Sequence, residues 1–387
     1  MKNIAIIGSG ISGLSAAYIL SHKYNITLFE SNDKLGGHTN TVQTPDGTPI
    51  DTGFIVYNEK NYPHFCKFID QLGVPSIESN MSFSYFDQKK NRGYSSDFPK
   101  GLFSTKKNIF SPSFYRFLYQ ITRFNKRARN SLSTLDLSQT IFEYLNHHGF
   151  SQRLIDEYVI PMGAAIWSTS QKDTYNFPAK SFLSFWNNHC LLQVFNRPKW
   201  RTIAGGAQSY IDAVVNKINL NYELNHPIKR IERSSTNVTL YGPNGPATFD
   251  GVVIATHADQ AFRMLHNPSL KEQQLLGQWQ YSNNKTILHS STSSLPPNRS
   301  GWASWIYTRD NDNTMSATYW MNRLQSLPTK TDYFVSLNPY EIIPNEHQYY
   351  TTTYEHPMMT QPSINTQPNL PELNGYLNTY FCGSYFG

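Results

Sequence analysis

An α/β fold of two interleaved domains is predicted by three observations. A strand, a glycine-rich turn, a helix and a second strand closing on an acid follow one another within residues 4–30. An apolar strand-like run recurs far downstream, from Val252 to Ala255. The long stretches between and beyond these pieces differ in character, one carrying helical patterns with few glycines and the other alternating Thr, Tyr and Ser.

The first element, Ile4 to Ile7, is a short apolar run suited to a buried parallel strand. Gly8, Gly10 and Gly13 then fall in G-x-G-x-x-G spacing, with Ile11 and Ser12 at the start of a helix that runs through Leu14 to Leu20. In this pattern the first glycine permits the tight turn, the second lets a pyrophosphate approach the backbone, and the third lets helix and strand pack closely. The phosphate charge sits on the helix N-terminus, where N–H groups lack intrahelical partners. A second strand, Asn25 to Phe29, closes on Glu30, twenty positions after Gly10. A carboxylate there accepts hydrogen bonds from both ribose hydroxyls and repels a 2′-phosphate. The whole arrangement is that of a Rossmann-like dinucleotide-binding unit. A secretion signal would need a cleavage site of small residues, and the glycine pattern already accounts for the apolar run.

Composition sets the remaining bounds. With 387 residues the chain is long enough for two domains of ordinary size, and 33 basic against 27 acidic residues give a net charge of +6. Cys66, Cys190 and Cys382 are scattered without C-x-x-C spacing, which argues against a disulfide framework or a zinc site and fits a reducing compartment. No apolar stretch reaches the ~20 residues of a membrane span. A cytoplasmic location is therefore expected. No G-x-S-x-G elbow, H-E-x-x-H motif or His/Cys cluster is present, which sets aside hydrolase and metalloenzyme chemistry.

The choice of dinucleotide follows from the next loop. Ser31 to Thr39 carries a second glycine pair, Gly36-Gly37, followed by His38. This E-x-x-x-x-x-G-G run resembles the flavin-containing amine oxidoreductase superfamily, in which it belongs to the FAD site. Further blocks resemble a branch of uncharacterised FAD-dependent proteins along essentially the whole chain: "DTGFIVYNE" (51–59), "PMGAAIWST" (161–169), "LLQVFNRPKWRTIAGGAQSYIDA" (191–213), "ATHADQA" (255–261), "WASWIY" (302–307), "TYWMNRLQ" (318–325), "FVSLNP" (334–339) and "YFCGSYFG" (380–387).

The resemblance implies an amine oxidase-like two-domain fold: an FAD-binding domain of discontinuous segments and an α+β substrate domain. The cofactor segments are expected at 1–60, 196–262 and 373–387, and the substrate domain at 61–195 (helical) and 263–372 (sheet). The cofactor residues it implies are Gly8, Gly10, Ile11, Ser12, Gly13, Glu30, Ser31, Gly36, Gly37, His38, Thr39 and Gly53, together with Ile228 beside adenine, Ala255 and Thr256 at a strand end, and Gly383. Relatives continue past the equivalent of Gly387 into a further helix, so lowered flavin affinity is expected of this chain.

FAD carries the redox step in such proteins, while the protein supplies position and electrostatics. Lys285 stands where amine oxidases of the superfamily place a lysine that holds a water against the flavin, which makes it the catalytic candidate; a surface lysine at a strand start is the alternative. Trp302, Trp305, Tyr307 and Trp320 are candidates for an aromatic cage or for walls around a lipid chain, with core packing the alternative. Arg323 is placed to pair with a carboxylate or phosphate head group, or to form a structural ion pair.

One segment stands apart. From Phe98 to Leu135 there is no acidic residue and there are eight basic ones. Phe114, Phe117, Leu118, Ile121 and Phe124 fall at helical spacing, with Arg116, Arg123 and Arg127 on another face. Such a helix either lies in an anionic membrane interface or packs its apolar stripe on the core. Nucleic acid is not expected as a partner, because no nucleic-acid fold signature accompanies the patch. Three functions remain open at this stage: hydride exchange with an apolar, acyl-type substrate, amine oxidation with release of peroxide, and a flavin-poor protein without turnover. The substrate, electron acceptor and oligomeric state are not legible.

Overall fold

The computed structural model describes residues 1–136, 138–167, 169–193, 198–312 and 314–386. Parts of the blocks 161–169, 191–213 and 380–387 lie outside the described residues, namely Ser168, 194–197 and Gly387.

Five parallel strands form the nucleotide sheet, in the order Asn221–Glu223, Asn25–Phe29, Asn3–Ile7, Gly251–Ile254, Thr379–Phe381. Ala5, Ile6 and Ile7 are buried, as expected of a central strand covered on both faces. On one face pack helices Ile11–Leu20 and Gln208–Ile218, with Leu14, Ala17, Tyr210 and Val214 in a shared core. On the other lies a three-stranded antiparallel sheet, Arg230–Arg233, Val238–Gly242 and Gly245–Phe249, joined to it through Phe29, Ile231 and Leu240. The order of the parallel strands reverses beside Asn3–Ile7. Ligands of open α/β sheets bind at such a switch point, outside the carboxyl ends of the strands.

A seven-stranded sheet forms the second layer, in the order Gln348–Pro357, Tyr281–His289, Phe334–Leu337, Met315–Trp320, Trp305–Arg309, Phe83–Asp87, Arg92–Ser95. It is mixed, because Trp305–Arg309 runs parallel to Phe83–Asp87. Its last two strands come from the stretch read as helical. All five residues of Phe83–Asp87 are buried, so no alternation marked the strand. Helices Pro112–Ser131, Ile141–His147, Ile160–Trp167 and Ala179–Asn188 cover one face of this sheet around a common aromatic and aliphatic core. Ser111 caps the first of them by accepting from the Phe114 N–H at 3.3 Å, with Pro112 fixing its first turn. Among the described residues no helix is long and apolar enough to cross a membrane.

Candidate active site

The glycine turn closes between two strands. Gly8 donates its N–H to the Phe29 carbonyl at 2.9 Å, and Ala255 donates to the Ile7 carbonyl at 2.8 Å. The third glycine is sterically obligatory, because a Cβ on Gly13 would lie 1.9 Å from the Gly8 oxygen. Gly10 is different in kind: a Cβ there would meet nothing within 4 Å. Gly37, with φ +58°, faces it, and a Cβ on Gly37 would lie 3.2 Å from the Gly10 Cα. The two glycine loops thus bound an open cradle at the end of helix Ile11–Leu20. No side chain caps that helix, so the N–H groups of Ile11, Ser12 and Gly13 are available to an anion.

Glu30 holds the loops around this cradle. One carboxylate oxygen accepts from the Ser9 N–H at 2.9 Å and the Ser9 hydroxyl at 2.5 Å; the other accepts from Ser31 and from the backbone and side chain of Asn32. Ser9 in turn accepts from the Gly36 N–H at 3.0 Å. The exposed partners Ser31 and Asn32 are the ones that ribose hydroxyls could replace. An open cradle, an uncapped helix terminus and a buried acid fit the pyrophosphate and ribose of a dinucleotide.

Beyond the cradle the switch point is walled by rings. His38 lies 5.0 Å from Tyr354, 5.3 Å from His356 and 6.0 Å from His257, between ring centroids. The Tyr354 hydroxyl engages Thr52 at 2.7 Å and accepts from Asn40 at 2.9 Å, which ties strand Gln348–Pro357 of the seven-stranded sheet to the loops around strands Thr41–Gln43 and Pro49–Asp51. Asn284 lies 3.1 Å from His356 Nδ1, and His257 stacks on Tyr281 at 4.2 Å. Burial and the neighbouring imidazoles lower the His38 pKa to about 3, and burial with His257 lowers that of His356 to about 4. Both rings are therefore neutral at neutral pH. Among the described residues no group of three or more His, Cys, Asp or Glu is arranged to hold a metal ion.

The predicted residues fall into three places. Gly8, Gly10, Ile11, Ser12, Gly13, Glu30, Ser31, Gly36, Gly37, His38, Ala255 and Thr256 gather at the switch point. Gly53 packs beneath it, where a Cβ would meet the His38 oxygen at 2.0 Å. Thr39 faces the Gln208–Ile218 helix through Tyr210, at 2.6 Å. Ile228 lies buried in the loop before Arg230–Arg233, and Gly383 follows Thr379–Phe381.

The seven-stranded sheet separates the substrate candidates. Trp305 and Tyr307 face the helices beside Tyr319, in the common core. Trp302 and Trp320 belong to the opposite face with Ile306 and Phe334. Trp320 is held between two guanidinium groups, those of Arg299 at 5.0 Å and Arg323 at 5.6 Å. Arg323 donates to Asp97 at 2.5 Å, so it is occupied by a structural ion pair. Lys285 is exposed and follows Asn284, whose cross-strand partner is Tyr354. Successive side chains of a strand point to opposite faces, so Lys285 projects away from the ring-walled crevice. Sequence reasoning passed over His257, His356 and Tyr354, although His257 follows directly on the Ala255-Thr256 strand end.

A switch-point crevice with a phosphate-type cradle and a buried ribose-type acid defines a dinucleotide-binding protein of Rossmann type. The chain belongs to the flavin containing amine oxidoreductase family, which it matches over residues 11–326. FAD is the cofactor that membership implies, and the class is that of FAD-dependent oxidoreductases. The chain is 27% identical over 194 residues to protoporphyrinogen oxidase 2 of Arabidopsis thaliana, covering 48% of this chain and 36% of that protein. It is 24% identical over 274 residues to probable polyamine oxidase 4 of the same plant, covering 65% and 50%. These matches span half or less of the length of those relatives. The fold is shared with a CLA-producing fatty acid isomerase from P. acnes, at a TM-score of 0.68 and 15% identity over 99% of this chain and 93% of that one.

Proposed function

We propose that this protein is an FAD-dependent oxidoreductase that exchanges a hydride with an apolar, acyl-type substrate. The observation that carries the reading is the neutral ring wall beside the cofactor loops: His38, His356 and Tyr354 stand there, while Lys285 lies on the opposite face of the sheet. When bound, the flavin supplies the two-electron redox chemistry.

The chain's own residues have three tasks in this reading. The N–H groups of Ile11, Ser12 and Gly13, opened by Gly10 and Gly37, hold the pyrophosphate, and Glu30 orients the ribose. His38, His356 and Tyr354 exclude water and present neutral rings to the crevice, which suits a reacting C–H bond on a hydrocarbon. The aromatic core between sheet and helices, including Trp305, Tyr307 and Tyr319, provides apolar walls on the substrate side. The likeness in fold to a fatty acid isomerase agrees with an acyl substrate, and the likeness to a polyamine oxidase supplies the competing one.

The test is anaerobic titration of the purified flavoprotein with unsaturated fatty acids and, separately, with primary amines and polyamines. Perturbation or bleaching of the visible flavin band by acyl substrates alone is expected. Bleaching by amines, with peroxide formed on admitting air, would replace this reading by amine oxidation.

A further inference from the structure

The helix Pro112–Ser131 turns its apolar stripe inward. Phe114, Phe117, Phe124 and Ala128 are buried in the common core, so that stripe is not available to a membrane. Its outward side carries a second, different pattern. Phe110, just before the helix, is 87% exposed, and Tyr119 is 66% exposed. Between them the Tyr115 hydroxyl donates to the Ile109 carbonyl at 2.9 Å, which keeps Ile109, Phe110, Tyr115 and Tyr119 in one exposed strip.

The strip runs into a groove of about 830 Å³ lined by Tyr119, Arg123, Lys126, Arg127, His147 and His148. Arg123 donates to the His148 carbonyl at 3.0 Å and lies over the Phe150 ring at 4.9 Å, which fixes its guanidinium at the groove wall. Among the described residues no carboxylate lies within ion-pair distance of Arg116, Arg123, Lys126 or Arg127. Elsewhere Arg92, Arg153, Arg233, Arg299 and Arg323 each meet a carboxylate, while Arg201 and Arg309 are held by hydroxyl and carbonyl oxygens. Unpaired cations beside exposed aromatic rings are the composition of a surface that enters the headgroup region of an anionic bilayer, the rings reaching the acyl boundary and the cations meeting lipid phosphates.

We propose that this face docks the protein on an anionic lipid bilayer, with Ile109, Phe110, Tyr115 and Tyr119 inserted and Arg123, Lys126 and Arg127 on the phosphates. The inference rests on this surface and deepens the acyl-substrate reading by naming where such a substrate is met. The docked helix is the outer wall of the same core that contains Tyr307 and Tyr319.

The test is co-sedimentation of the holoprotein with vesicles of phosphatidylcholine alone and of phosphatidylcholine containing one third phosphatidylglycerol. Binding to the anionic vesicles should exceed binding to neutral ones by about tenfold or more, and should fall by about fivefold for each charge removed in Arg123→Gln, Lys126→Gln and Arg127→Gln. Phe110→Ser with Tyr119→Ser should weaken it further, while Lys330→Glu, at an exposed position outside the patch, should leave it unchanged. Retained flavin absorbance and melting temperature identify variants that fold. Equal sedimentation with both vesicles, wild-type binding by the triple Gln variant, or binding of inorganic phosphate without vesicle association would each overturn the proposal. Flavin reduction by dispersed acyl lipid without vesicle binding overturns the docking alone; vesicle binding with turnover of amines only overturns the acyl reading alone.

Discussion

The carboxylate of Asp51 accepts the backbone N–H of Ala207, 156 positions later in the chain, at 2.9 Å, just before the helix that begins at Gln208. It also accepts from Thr41 at 2.5 Å and from the Gln325 side chain at 3.1 Å. One buried acid thus ties strand Pro49–Asp51, the start of helix Gln208–Ile218 and Gln325, at the end of helix Met321–Leu324.

Burial pushes the Asp51 carboxyl up to about 7 from 3.8, against the donors that pull it down. Between those values the folded protein holds a proton that the unfolded chain has lost. The associated stability is complete below about pH 4 and disappears as the pH rises through about 7, on the order of 4 kcal/mol in all. Denaturant titrations of wild type and Asp51→Asn at pH 5 and pH 8 should show wild type losing ground to the variant at the higher pH. A difference that is constant across the two would refute the assignment.

His38 and His356 act with the opposite sign. Their folded values near 3 and 4 lie below the ordinary 6.5, so the stability they contribute is present above pH 6.5 and is lost as the pH falls towards 4. The double variant His38→Gln, His356→Gln should therefore resist acid unfolding between pH 6 and pH 4 better than wild type does. Equal acid midpoints would show that the two rings do not control this transition.

Gly10 and Gly13 separate cofactor binding from folding. Gly10→Ala adds a methyl to open space, so the apoprotein should melt within a degree or two of wild type yet bind FAD at least about tenfold more weakly, because the methyl occupies the approach of the pyrophosphate. Gly13→Ala drives a Cβ into the Gly8 carbonyl and should destabilise the fold itself by several kcal/mol or about that order. Melting curves with and without FAD distinguish the two. Undiminished FAD affinity in Gly10→Ala would remove the cradle from consideration.

Lys285→Met tests the lysine that the resemblance to amine oxidases singles out. Since its side chain is exposed on the face opposite Tyr354, the substitution should change the rates of flavin reduction and reoxidation by less than about twofold. A loss of about a hundredfold or more, the scale on which a positioned proton-transfer group acts, would return Lys285 to the site.

What was legible in the sequence was local. Gly8 to Glu30 announces strand, turn, helix, strand and acid because every part of that unit lies within one short stretch and each has its own spacing rule. The phase of Tyr281–His289 was not legible, since Asn284, Thr286 and Leu288 are buried on one face while Ile287 and His289 are buried on the other. Apolar alternation then gives no sign of which side Lys285 takes. The ring wall was hidden for another reason: His38, His257 and His356 come from three separate segments, and only the strand order brings them together. Trp302 and Trp305 are three positions apart yet lie on opposite sides of the sheet, a division that no count of aromatic residues reports.

The order of strands in the nucleotide sheet also sets a timetable. Asn3–Ile7 finds one neighbour as soon as Asn25–Phe29 has been made, but its other neighbour is Gly251–Ile254. At about 5–20 residues per second of synthesis, roughly ten to fifty seconds pass between the two. For that interval the nascent chain carries an apolar strand with one side of its backbone unmatched, a state prone to wrong partners. Recovery of correctly assembled protein is then governed by what shelters Ile4 to Ile7 on the ribosome, and slower translation at unchanged final stability should lower the yield.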